Sequence, residues 1–368
     1  MSVLTKARAG NALRLSWILT LLILLRLVRG WNQTGQKFAG APDIVRDFVL
    51  PHPQMLWLIV AGTYVAESLQ ILPNVEGLPF VAVTGLTSVL VSSAFTFKLA
   101  FTAEDAPELV VGIINAVNEQ FRGQSLLSRA RIVFSLISAL STFGIYRALS
   151  GNYRAKISTR EISFSGHKQQ AATINLLTLF TAHLLHHLYA IFGMTQTRTT
   201  NIPLFSLSSL LFQILQDIDL SMVEISTTSI LLQYVSFFAS GGSNAISSID
   251  LSNAYNGIGG FNVAAVGFLT FVSNWALPIY WTSVTNLLLL RRWRAGEAAV
   301  LQKHLGLLTL FTTTSLAFVM VACTTLRTHL FIWTVFSPKY LYAVAWNLGQ
   351  HLLINVGFGS FLFWLGAR

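Results

Sequence analysis

Three histidines stand at a spacing that chemistry can use. His183, His186 and His187, in AHLLHHLYA, fall at i, i+3 and i+4, so a helix places them on one face. HxxHH is also one of the boxes from which di-iron sites in membranes are built, but such sites need several boxes. His52, His167, His304, His329 and His351 stand singly. The preferred expectation is structural, with imidazoles bonding between helices. A second group is acidic: Asp217, Asp219 and Glu224. Charges inside a bilayer are costly and usually functional. These lie where two apolar runs meet, so a wet turn explains them equally well.

A third set is polar and aromatic. It comprises WNQTGQK (Trp31–Lys37), DLSNAYNG (Asp250–Gly257) and SPKYLY (Ser337–Tyr342). The candidate residues are Trp31, Asn32, Gln33, Lys37, Asp250, Asn253, Tyr255, Asn256, Lys339 and Tyr340. Amides, charges and aromatic rings suit sugar and phosphate headgroups. They also suit the interfacial belt, where Trp and Tyr are common. The middle string lies in a glycine-rich loop, Gly241 to Gly260, between two apolar runs. Ser, Asn and Asp bond back to nearby backbone, so such a loop is compact, and an ordered turn is the plainer reading. Asn32-Gln33-Thr34 matches a glycosylation sequon, set very close to the preceding apolar run.

The elements that must position these residues are membrane spans. Apolar residues make up 53% of 368 residues, charged residues 10%, and the mean hydropathy is +0.61. Soluble domains carry about a quarter charged residues. The composition predicts one all-α, polytopic helical membrane domain over residues 1–368. The net charge of +10 does not mark a nucleic-acid binder, because the basic residues cluster in short loops between apolar runs. The single cysteine, Cys323, excludes an intramolecular disulfide framework. Runs of about 20 apolar residues predict spans. They are Leu13–Val28, Met55–Leu72, Leu78–Lys98, Leu127–Leu149, Ala171–Gly193, Ile202–Leu220, Met222–Ala239, Phe261–Leu290, Val300–Cys323 and Leu341–Leu365. That is roughly ten transmembrane helices. Asn274 and Pro278 predict a kink in the long one. Between Phe101 and Phe121, Leu109, Val110, Ile113, Ile114 and Val117 share a face, which predicts a helix lying in the interface.

Sidedness follows from loop charge. Arg147, Arg154, Lys156, Arg160 and Lys168 precede one span; Arg291, Arg292, Arg294 and Lys303 follow another. Both loops are expected in the cytosol. The loops at Arg29–Pro53, Met194–Asn201, Ser240–Gly260 and Thr324–Tyr340 then share the opposite side. Counting Ile202–Ala239 as one span instead of a hairpin would invert half of this map.

No Walker loop, G-x-S-x-G elbow or clustered Asp/His metal set occurs in the sequence. Four strings carry a resemblance: RLVRGWNQTGQKFAGAPDI (Arg26–Ile44), SSIDLSNAYNGIGGFNV (Ser247–Val263), LTFVSNWALPIYW (Leu269–Trp281) and HLFIWTVFSPKYLYAVAWNLGQHL (His329–Leu352). In this order they are similar to the membrane region of the GPI ethanolamine phosphate transferases. Within that family they most resemble the type 2 branch, which modifies the second mannose. The resemblance implies an endoplasmic reticulum membrane protein that binds phosphatidylethanolamine and the GPI precursor. It also implies a lumenal catalytic domain in cis or trans, and a small membrane subunit among the partners. Such a domain is of the alkaline-phosphatase type, with a threonine nucleophile and two zinc sites built from Asp and His. None of these is in this sequence, so no catalytic residue, metal ligand or cofactor is expected here. The chain is expected to be a piece of a longer protein, a truncated gene model, or a membrane subunit separated from its catalytic half. The alternative is a stand-alone lipid carrier or scramblase, in which Asp217, Asp219 and the histidine face line one hydrophilic path.

Overall fold

The computed structural model describes residues 43–72, 80–110, 125–150, 176–243, 248–329 and 337–368, with Leu21, Ile23, Val28, Trp31 and Thr334. Every regular element among these residues is a helix. Lipid offers no partners to open backbone, which is why an apolar chain of this composition folds so. The main helices are α1 (Pro53–Ile71), α2 (Phe80–Asp105), α3 (Leu126–Ser150), α4 (Leu176–Gln196) and α5 (Ile202–Asp217). They continue as α6 (Met222–Ala239), α7 (Val263–Arg294), α8 (Val300–Thr325) and α9 (Ser337–Ala345). A π-helix (Trp346–Phe358) then joins α9 to α10 (Gly359–Ala367), making one span of three parts.

The centre is α7. All residues from Trp275 to Leu290 are buried, as befits a helix enclosed on every side. It packs against α4, α6 and α10. Its Trp275 leaves helical geometry, three residues before Pro278. Proline has no N–H for the preceding turn, and the chain kinks there as the sequence predicts. Asn274 bridges the break, its Nδ2 donating to the carbonyls of Thr270 and Asp250, 2.9 Å each. The periphery is clearest in α8, where only Val300, His304, Leu308 and Thr312 are buried. That one-in-four stripe leaves the rest of the helix for lipid.

Helices stand at nine of the ten expected spans. Six are long and apolar enough to cross a membrane: Val81–Asp105, α3, α6, α7, α8 and Ser337–Ala367. The expected count of ten is therefore not established. The first run, Leu13–Val28, falls almost wholly outside the described residues, and α5 has only 16 residues. The Ile202–Ala239 stretch is a true hairpin. Extended backbone at Ile218 and Ser221 reverses the chain, and Asn201 Nδ2 donates to the Ser240 carbonyl at 2.9 Å, closing the open end. The expected interfacial helix begins differently. The chain leaves α2 at Asp105 and makes a 3-10 turn, Pro107–Val110, whose Leu109 and Val110 are buried; Ile113, Ile114 and Val117 lie outside the described residues.

Candidate functional site

The DLSNAYNG loop closes on itself. Asp250 Oδ1 accepts from the Ser252 amide at 3.1 Å and the Ser252 hydroxyl at 2.8 Å. Asn256 Nδ2 donates to Asn253 Oδ1 at 3.1 Å, and both side chains are buried. Gly257 ends the loop at φ +75, and a Cβ there would come 2.9 Å from the Phe134 ring. Left-handed backbone against an aromatic wall admits glycine alone. Arg131 Nε fixes the same residue, donating to its carbonyl at 3.1 Å. Tyr255 is half exposed. Asn253 and Asn256 thus hold the loop together from within.

Asp250 lines a cavity. A cavity of about 380 Å³ is walled by four segments: the turn around Asp43 to Leu50, the end of α2 with Asp105 to Leu109, the turn Arg198 to Thr200, and Asp250 with Ser252. Arg198 Nε stands 3.1 Å from Asp250 Oδ2. Burial pushes the Asp250 carboxyl up, but the Arg198 charge and hydrogen bond, with Ser252, outweigh it and hold the group below the usual carboxylate range. Arg46 pairs with Asp47 at 2.7 Å. Asp43, Asp105, Glu108 and Asp250 set four carboxylates against the guanidiniums of Arg46 and Arg198. Below them lies Lys98, fully buried, with Nζ donating to the carbonyls of Thr195 and Thr197. Carboxylates receive an ammonium group and guanidiniums receive a phosphate. This lining suits a zwitterionic headgroup.

Trp31 is built into the same face. Its Nε1 donates to the Thr200 carbonyl at 3.0 Å, and its own carbonyl accepts from Val45 at 3.0 Å. Asn32, Gln33 and Lys37 lie outside the described residues. Lys339 and Tyr340 stand on α9 and do not line the cavity; their neighbour Tyr342 packs instead with Phe237, Trp275 and Trp346. Arg198, Asp43, Arg46, Asp105 and Glu108 were not singled out as site residues by the sequence, because none belongs to a motif that marks a site. The signal available was the loop map, which put three of the four segments on one side.

The histidine face lies in the interior. His187 Nδ1 is 2.7 Å from Glu67 Oε2, and His186 Nδ1 is 2.6 Å from Ser283 Oγ. These bonds tie α4 to α1 and α7, as the structural reading expects. The acidic group is a turn. Glu224 closes a capping box with Ser221, and Asp219 pairs with Arg292 at 2.7 Å. A cavity of about 240 Å³ on that side takes His183, Gln216, Arg291 and Arg294, but neither Asp217 nor Asp219. Among the described residues, no group of three or more His, Cys, Asp or Glu side chains is placed to hold a metal.

The comparisons agree with one another. A family model described as the GPI ethanolamine phosphate transferase membrane region matches residues 2–368. The chain is 39% identical to GPI ethanolamine phosphate transferase 2 of Aspergillus oryzae, over 91% of this chain and 32% of that protein. It is 36% identical to the protein of that name in Aspergillus fumigatus, over 89% of this chain and 34% of the relative. For Yarrowia lipolytica the identity is 33%, over 91% of this chain and 41% of the relative. The chain thus spans about a third of the length of the Aspergillus relatives. No solved structure matches it.

Proposed function

The chain belongs to the GPI ethanolamine phosphate transferase family, through their membrane region, and from that premise we propose that it positions lipid substrate for ethanolamine phosphate transfer. The observation that carries this reading is the cavity around Asp250 and Arg198, where carboxylates and guanidiniums converge at the ends of the helices. In this reading the donor is phosphatidylethanolamine. Its ammonium group lies toward Asp105 and Glu108 and its phosphate toward Arg198. The acceptor is the second mannose of the GPI precursor, as the resemblance to the type 2 branch suggests. A lumenal catalytic domain, in cis or trans, docks over this face, which places the protein in the endoplasmic reticulum membrane with the cavity toward the lumen. Zinc belongs to that domain. The described residues do not fit it, and their part is binding and orientation. Holding a headgroup at a fixed height under the reacting groups removes rotational freedom before the chemical step.

The test is lipid retention. Purified chain in mixed nanodiscs should retain phosphatidylethanolamine over phosphatidylcholine. Arg198→Ala should weaken that retention about tenfold, the loss of one charge-assisted hydrogen bond of about 1.5 kcal/mol. Asp105→Asn should remove the preference for the primary ammonium. Equal retention of both lipids by the unaltered chain would end this reading.

A further inference from the structure

A second cavity, of about 240 Å³, runs beneath the polar one. Its walls are the stripe Leu204, Leu207, Leu211 and Ile214 of α5, facing Leu232 of α6 and Trp281 of α7. Ser208 and Ser236 are its only polar wall residues, and their small side chains leave the space between the two helices of the hairpin. From Leu204 to Ile214 the α5 stripe descends about 15 Å at 1.5 Å per residue. That is half of a hydrocarbon core about 30 Å thick, the depth of one leaflet. The upper end is fixed by sequence continuity. Thr199 and Thr200 line the polar cavity, and Ile202 begins α5 directly below them. Trp31 marks the junction. It bonds to Thr200, while Val28, one turn earlier, lines the apolar groove.

We propose that this groove holds one acyl chain of a diacyl glycerophospholipid whose headgroup occupies the polar cavity above it. Three features of the groove match a lipid tail. The groove is apolar along its length, it is one leaflet deep, and it begins where the charged lining ends. Leu207, Leu210 and Ile214 are partly exposed, so the groove opens sideways and a tail can enter from the bilayer. Burying a tail against protein on both sides anchors the lipid in height and rotation, which a headgroup cavity alone does not do. The proposal deepens the reading given under Proposed function and takes from it the position of the headgroup.

The test uses the whole chain in phosphatidylcholine vesicles carrying a trace of phospholipid with a diazirine midway along its sn-2 chain. Two probes are used, one a phosphatidylethanolamine and one a phosphatidylcholine. Photolabelling should concentrate on α5 and α6 and exceed that on the outer face of α8, at Leu310 and Phe318, which reports bulk lipid. Leu207→Trp and Ser236→Leu fill the groove from opposite walls. Each should lower labelling of α5 about tenfold, the effect of losing burial of about two methylenes, with α8 labelling and thermal stability unchanged. If one variant fails to reach the membrane, the other carries the test. Labelling of α5 no greater than that of α8, or unmoved by both variants, overturns the proposal. So does a cysteine at Leu210 that cross-links to a second copy of the chain in place of lipid. The headgroup reading fails separately: groove labelling would persist while Arg198→Ala left the two probes indistinguishable from their behaviour with the unaltered chain.

Discussion

Asp250 is held through Ser252 on one carboxylate oxygen and Arg198 on the other. Its carboxyl is held below the ordinary range by Arg198 and Ser252 against the opposing effect of burial. A depressed folded value contributes stability that is present above the unfolded value, about 3.9, and lost as pH falls through the folded one. Arg198 is partly exposed, so solvent screening leaves the pair worth about 1 kcal/mol or less. Hydrogen-exchange protection factors of residues 248–257, taken relative to the intrinsic rate at each pH, are therefore expected to be higher at neutral pH than below the ordinary carboxylate range. Asp250→Asn should remove most of that acid dependence. A different outcome is expected one turn on. Asn256→Ala loses a buried bond to Asn253 and should lower stability by about 0.5–1.5 kcal/mol, leaving lipid retention intact. Lower retention at unchanged melting temperature would return Asn256 to the ligand. The string DLSNAYNG was legible as an ordered polar loop. Which of its residues face outward was not, because amides serve equally to close a loop or to bind a headgroup. The Arg198 partner was illegible for a related reason: its pairing is set by the packing of α4 and α5, not by local sequence.

The helices themselves were legible. Apolar runs gave α3, α6, α7 and α8 with ends within about a turn, since crossing a bilayer enforces both length and composition; α2 runs on to Asp105, beyond its expected end at Lys98. What sequence describes least well is how buried polar side chains pair between helices. In α4, His186 and His187 replace apolar residues because α1 and α7 supply Glu67 and Ser283. Both members of the Glu67–His187 pair are almost wholly buried. Removing one partner strands the other, so His187→Ala should destabilise by about 3–5 kcal/mol. The double variant Glu67→Gln with His187→Gln should recover much of this, because a neutral amide pair can replace the bond. Thermal unfolding in detergent across the cycle of the unaltered chain, Glu67→Gln, His187→Gln and the double variant measures the coupling; additive losses would show that the pair is not coupled. A second contact sets helix spacing. A Cβ on Gly366 would meet Leu290 Cδ1 at 2.4 Å and Ala182 Cβ at 3.4 Å. Gly366→Ala should push α10 from α7 and α4 at a cost of about 1–3 kcal/mol. An unchanged melting temperature would mean that Leu290 simply turns aside.

At the scale of the molecule, the structure ties loops together in two groups. Trp31 to Thr200, Trp57 to Leu109, Asn201 to Ser240 and Arg198 to Asp250 join one end. Arg292, bonded to both Asp219 and Glu297 at 2.7 and 2.9 Å, joins the other. The first group contains the loops at Arg29–Pro53, Met194–Asn201 and Ser240–Gly260, which span counting and loop charge also put together; the side of the membrane each takes is what labelling tests. The walls of the cavities were not legible in the sequence, since they need the helices' rotation about their axes. After Cys323→Ser, cysteines at Glu108 and Ser252 are expected to react together with an impermeant thiol reagent in sealed vesicles, and those at Asp219 and Gly296 only after permeabilisation, or the reverse for inverted vesicles. Ser252 reacting together with Gly296 would break the layout. The enclosed centre of the bundle has a further consequence, for biogenesis. Thr282 of α7 donates to Asn355, 73 residues later in the chain, at 2.6 Å. At about 5–20 residues per second, a nascent chain makes α7 about 4–15 seconds before this acceptor exists. During that interval the Thr282 hydroxyl has only the Pro278 carbonyl of its own helix, 3.3 Å away, so its bond between helices forms only once the last span has been made.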